Sequence, residues 1–159
     1  MPKALRIVPT IHKERVMTVN LGTTVSKYGA AEIGKAVKLT STDTYELCSA
    51  ADKIEGIITS SEYAATGATI GGKAIGGIVS SGYFEVVSTE VLAVGDLIAA
   101  AAQPAVGTPV QSVGNGDVPC TPVIKAVTTG LVAPFLARIE SLGEAGTGAA
   151  GTVLVARFL

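Results

Sequence analysis

The chain has no tryptophan, and its seven tyrosines and phenylalanines make up only 4% of 159 residues. A carbohydrate site built on stacked rings has little to work with here. The only histidine is His12, in a proline-interrupted N-terminal segment. A Ser–His–Asp or Cys–His device would therefore lack a base on a rigid element. Two cysteines, Cys48 and Cys120, stand 72 positions apart with no second thiol or histidine near either. That spacing suits neither a zinc site nor a C-x-x-C redox pair. Small buried hydrophobes are the ordinary reading, and a disulfide between the two stays open.

Charge is scarce as well. Charged residues are 16% of the chain, against about 25% in an average soluble domain. A surface partly covered by other subunits explains this, and a monomer with long Ala/Gly loops is the alternative. Long apolar runs are missing: the stretch 97–116, LIAAAAQPAVGTPVQSVGNG, is charge-free but broken by Gln103, Pro104, Gly107 and Pro109. It cannot form a span of about 20 apolar residues, so no membrane is expected as a partner. The N-terminus has no uninterrupted apolar core and does not read as a signal peptide, which places synthesis in a cytoplasm. The carboxylates Glu55, Glu62, Glu140 and Glu144 could pair as a glycosidase requires, but read more simply as exposed turn acids. Catalysis is not expected, nor any cofactor or metal.

What the chain has is glycine, alanine and valine. GATIGGKAIGG (67–77) nearly spells the phosphate loop G-x-x-x-x-G-K-[ST], but Ala74 stands where a hydroxyl should meet magnesium. The residues after it, with Gly76, Gly77 and Gly82 among β-branched and aromatic residues, favour strand over the helix such a loop requires. This stretch is expected to be a turn between strands.

Residues 1–15 form a short basic arm. Lys3, Arg6, Lys13 and Arg15 oppose Glu14 alone, a net of +3, which leaves −4 for the rest of a chain whose total is −1. Pro2 and Pro9 keep the arm extended, and Leu5, Ile7, Val8 and Ile11 give it an apolar side. Such a segment docks on a partner surface. Nucleic acid is the weaker choice of partner, because four basic residues come without an aromatic to stack on a base.

From Val16 onward the pattern is that of strands. VMTVNLG (16–22) and GKAVKL (34–39) alternate, and TYELC (44–48) follows a polar turn to make a hairpin. KIEGIITS (53–60) reads as a strand, and AIGGIVSSGYFEVVS (74–88) as two strands or one long bent one. Its glycines suggest a bulge or a close backbone approach. In VLAVGDLIAAAA (91–102), Gly95-Asp96 marks a turn and LIAAA a short strand or one helical turn. VIKAV (123–127), FLARIESL (135–142) and TVLVARFL (152–159) supply the last strands. EGIITSSEYAATG (55–67) and ARIESLGEAGTG (137–148) form a weak internal repeat, each running from a strand through a turn to a glycine-rich link. The expected architecture is all-β: a compact β-sandwich or β-barrel, a jelly roll among the candidates, over 16–159, with the extended arm at 1–15.

The order of phrases carries a resemblance. "GKAVKLTSTDTYELCSAADKIEGIITSSE", then "VLAVGDLIAA", then "FLARIESLGEAGTGAAGTVLVARFL" resembles the phage capsid cement proteins, head-decoration proteins long catalogued as a domain of unknown function. The resemblance covers about residues 16–159, while the basic arm and the segment TGLVAPF depart from it. It implies a non-enzymatic β protein of the virion, made in the host cytoplasm, that binds the outside of an icosahedral head. It would bridge neighbouring major capsid proteins, itself a homotrimer or homodimer, with Lys3, Leu5, Arg6, Ile7, Val8, Ile11, Lys13 and Arg15 as candidate docking residues. A free-standing β-sandwich binding module for glycans or a host surface is the alternative.

Overall fold

The structure is a computed structural model that describes residues 16–22, 28–40, 44–63, 67, 69, 73–113, 118–126, 137–143 and 146–159. It is a compact all-β fold. Five strands form the first unit: β1 (Val16–Leu21), β2 (Ala36–Leu39), β3 (Thr44–Leu47), β4 (Gly56–Ser61) and β5 (Ala74–Val79). They close into a barrel in the order β1-β3-β2-β4-β5, with β5 pairing antiparallel to β1. The expected 34–48 hairpin is there as the antiparallel pair β2–β3.

The chain then crosses to a second sheet, so 74–88 is two strands rather than one bent strand. β6 (Tyr83–Ser88), β7 (Ile98–Ala100), β10 (Thr121–Lys125), β11 (Ala137–Ser141) and β12 (Val153–Phe158) line up as β11-β12-β6-β10-β7. A short pair, β8 (Ser112–Val113) with β9 (Val118–Pro119), leads into β10. LIAAA resolves as strand, since Ile98–Ala100 pairs with β10, and the turn before it falls at Val94-Gly95. The second sheet curls until its two edges touch at a single antiparallel bridge, Leu97 to Arg138.

Side-chain alternation explains how the two units share their interiors. On β4 and β5, Ile58 and Ile78 are opposite one another and face the barrel interior with Leu21, Tyr28, Val37 and Ala74. Their neighbours Ile57 and Val79, also opposite one another, face the other way. These two, with Ala36 and Ile54, join Phe84, Val86, Ile98, Val123, Ile139, Leu154 and Phe158 in the larger core. The outer wall of the barrel thus plugs the inside of the curl. Phe84 and Phe158 stack there, ring centroids 4.5 Å apart.

Tight packing at the barrel wall requires glycine. A Cβ on Gly76 would lie 2.3 Å from the Ser60 carbonyl oxygen, and one on Gly77 would lie 2.6 Å from Val16 Cγ1. The close backbone approach expected from the sequence lies here.

Candidate functional site

The residues singled out for docking, Lys3 to Arg15, lie outside the described residues, as do His12, Glu144 and TGLVAPF. The structure does give the point at which the arm joins the body, Val16, the first residue of β1. β1 pairs with β5 along its whole length, from Val16↔Val79 to Leu21↔Ala74. On its other side it meets β3 only at Asn20 and Leu21. Val16–Val19 therefore presents, among the described residues, a backbone edge without a strand partner.

An open groove of about 390 Å³ runs beside that edge, lined by Met17, Val19, Asn20, Leu39, Tyr45 and Ile75 among others. Met17 and Leu39 are 42% and 48% exposed. Alternation places Met17 and Val19 on the same side of β1 as the buried Leu21, so the groove continues the barrel's apolar lining outward. A free strand edge beside an apolar trough can take up an extended segment: main-chain hydrogen bonds give affinity and the trough receives alternate side chains. Nothing in the sequence pattern marked this groove, because it depends on β1 and β3 being paired over only two residues.

The phosphate-loop look-alike has structural partners. Lys73 Nζ donates to Thr44 Oγ1 at 2.8 Å, tying the start of β5 to the start of β3. Ala74 is fully buried in the barrel opposite Leu21. The carboxylates are dispersed. Glu55 accepts from the Leu39 N–H at 2.7 Å on the barrel, whereas Glu140 lies on β11 of the second sheet among arginines. Cys48 and Cys120 are both buried free thiols. Burial above all pushes the Cys48 thiol up to about 12, so it carries no thiolate at neutral pH. Among the described residues, no three of His, Cys, Asp and Glu gather as a metal-binding group, and no helix is long and apolar enough to cross a membrane.

One polar constellation escaped sequence reasoning. Glu32 and Lys35 are buried, with Lys35 Nζ 3.2 Å from Glu32 Oε1. Glu32 also accepts from the N–H groups of Gly29 and Gly107, each at 2.7 Å, and Lys35 donates to the Ala105 carbonyl at 3.0 Å. Nearby, Gln103 Oε1 accepts from Ala36 N–H at 3.1 Å and Thr121 Oγ1 at 3.0 Å. The segment 103–107 is thereby latched onto the barrel. Every polar atom in this cluster that the chain brings together serves the fold. An E-x-x-K spacing ahead of a strand is the only trace it leaves in the sequence, and that spacing is ordinary on surfaces.

Compared with known proteins, the chain matches no protein-family model and no curated protein.

Proposed function

We propose that this protein is a non-enzymatic head-decoration protein, a cement that binds the outer surface of an icosahedral phage capsid and bridges neighbouring major capsid proteins. The observation that carries the reading is the order of phrases from GKAVKL to TVLVARFL, and not a family match. The compact all-β body supports it, because a small β unit is what that resemblance implies. The exposed strand edge and apolar groove at the root of the basic arm support it too, since they put two docking features side by side. Exposed apolar residues at Val91, Val94 and Val106 offer further surface for self-association as a trimer or dimer.

In this proposal the arm is a clamp. Its four basic residues meet acidic patches of the shell, each exposed pair worth at most about 1 kcal/mol. Ordering the arm costs roughly 1–2 kcal/mol per residue, so most of the affinity comes from burying Leu5, Ile7, Val8 and Ile11. The test is co-sedimentation with phage head shells assembled from the major capsid protein of the same genome. Removing residues 1–15 should leave the β body folded by circular dichroism and strongly weaken shell binding, whereas raised salt should weaken it only modestly. A truncated chain that decorates shells as tightly as the full one makes the arm an idle tail. A full chain that binds no shell ends the cement reading altogether.

A further inference from the structure

The curled sheet holds two like charges in direct opposition. Arg138 on β11 and Arg157 on β12 are cross-strand partners in the antiparallel register, a placement that is unfavourable unless something neutralises it. Their chain neighbours Ala137, Ile139, Ala156 and Phe158 are all in the core, so alternation puts both arginines on the opposite face. One carboxylate serves both. Glu140 Oε1 accepts from Arg138 Nε at 2.6 Å and lies 3.1 Å from Arg157 Nε. The second contact is an ion pair without hydrogen-bond geometry, for Arg157 Nε is buried and has no hydrogen-bond partner. The guanidinium of Arg157 also lies over the ring of Tyr83, its partner on β6, 6.0 Å from the centroid.

The side chains of Arg138 and Arg157 are 40% and 37% exposed, and no other hydrogen bond or ion pair engages either guanidinium among the described residues. Their positions are fixed by the backbone: a bulge between Ile139 and Ser141 sets Glu140, and the Leu97 bridge anchors Arg138. A guanidinium fork matches a carboxylate, and two arginines that already converge on one glutamate oxygen lose less entropy on capture. Two arginines and one resident glutamate sum to +1. A monoanion balances that charge, whereas a phosphate dianion overshoots it.

We infer that Arg138 and Arg157, backed by Tyr83, form a receiving site for a carboxylate, with Glu140 as the resident competitor. The hydrogen bond from Arg138, assisted by both positive charges, holds the Glu140 carboxyl below its usual range, so the competitor is ionised at neutral pH. The inference concerns the ligand's chemistry and does not rest on the capsid proposal.

The experiment is an NMR titration of the full chain with N-acetylglutamate, against sodium chloride at matched ionic strength. Saturable shifts are expected at the Nε–H signals of Arg138 and Arg157 and at Tyr83. Glu140→Gln should tighten binding roughly two- to fivefold by removing the competitor, the scale of one exposed ion pair. A merely structural trio would gain nothing from that change. The double variant Arg138→Lys/Arg157→Lys keeps the charge and the fold but loses the forks, and should bind several-fold more weakly. Shifts no larger than those from chloride overturn the site, as does a Glu140→Gln chain that binds no tighter. Inorganic phosphate binding as tightly as N-acetylglutamate overturns the carboxylate assignment. Sedimentation of the Arg138→Gln/Arg157→Gln chain then separates the sources. Lost self-association identifies a carboxylate of a second copy, lost shell binding alone identifies one of the capsid, and loss of neither assigns the site to a free carboxylate.

Discussion

The two five-stranded sheets use the same local device with different results. Each contains an antiparallel pair whose first strand bulges within an Ile-x-Ser sequence: Ile58-Thr59-Ser60 on β4 and Ile139-Glu140-Ser141 on β11. At the first bulge Ile58 and Ser60 face Ile78 and Gly77, with Gly76 next along opposite Ser61; at the second, Ile139 and Ser141 face Ala156 and Val155. In the barrel the bulge hydroxyls bond directly to the glycine backbone, with Gly77 N–H donating to Ser60 Oγ at 3.1 Å and Thr59 Oγ1 donating to the Gly77 carbonyl at 3.2 Å. The strands there can approach and bend sharply, and the sheet closes. In the second sheet Val155 stands where the barrel has Gly77, and closure stops at one bridge. A bulge increases twist; the residues facing it decide whether that twist closes a sheet.

The largest effect should come from the seam where both sheets share a core. Phe84→Ala removes a stacked, fully buried ring and should cost about 3–5 kcal/mol. Urea unfolding followed separately by Tyr45 in the barrel and Tyr83 in the sheet should move as one transition. Two separated transitions would mean that the barrel stands without its neighbour, which would break the comparison at its root.

The latch comes next. Lys35→Ala leaves Glu32 buried and without its ion-pair partner, which should cost about 3–5 kcal/mol. Replacing both members by apolar residues, Glu32→Leu with Lys35→Met, should recover much of the loss, although Gly29 and Gly107 then lose an acceptor. A double variant no more stable than Lys35→Ala would show that the carboxylate's backbone bonds, rather than the ion pair, hold the segment 103–107.

These elements differ in how far the sequence announces them. Alternation located β1 and β2, and a polar turn added β3 as the hairpin partner; β5 and β6 are buried on nearly every residue, so β-branched and aromatic residues rather than a period of two announced them. The repeat joining 55–67 to 137–148 coincides with the two bulged pairs, and the glycines at 76 and 77 face the first of them. Sheet membership was not legible. β5 and β6 adjoin in the chain yet belong to different sheets, and periodicity cannot say which neighbour a strand will take. The parallel pairing of β1 with β3, which sets the groove, is equally silent in the sequence. The buried Glu32–Lys35 pair was missed for a different reason: charge in sequence reads as surface, and only a three-dimensional count of partners shows otherwise. The docking arm itself lies outside the described residues.

The bulge comparison can be sharpened directly. Gly76→Ala sets a Cβ against the Ser60 carbonyl and Leu21, and backbone cannot yield cheaply, so a loss of about 1–3 kcal/mol is expected. Val155→Ala on the open sheet trims a half-buried side chain and should cost about 1 kcal/mol or less. Thermal midpoints of the two variants measure the difference. Equal losses would mean that the glycines do not decide which sheet closes.

The smallest effect concerns the single bridge at which the second sheet stops. Asp96 holds the turn before β7: its Oδ2 accepts from Ala93 N–H at 2.8 Å, and its Oδ1 lies 3.2 Å from Lys125 Nζ. The backbone of the same turn reaches β11, with Ile139 N–H donating to the Asp96 carbonyl at 2.9 Å and Gly95 N–H donating to the Ile139 carbonyl at 2.8 Å. The Ala93 N–H, and then Lys125, hold the Asp96 carboxyl below its usual range against the opposing effect of burial. A folded pKa below the unfolded one stabilises fully above the unfolded value, about 3.9, and the contribution is lost as pH falls through the folded value. The side chain is partly exposed and screened, so no more than about 1 kcal/mol is at stake. Asp96→Asn keeps an acceptor but loses the charge. Its thermal midpoint should fall slightly below that of the unaltered chain at pH 6, and the gap should close once the pH drops below the folded pKa. The amide signals of Leu97 and Arg138 should shift over that same acid window in the unaltered chain alone. A gap that persists unchanged in acid would show that the charge of Asp96 does not help to hold the bridge, leaving its closure to the backbone bonds with Ile139.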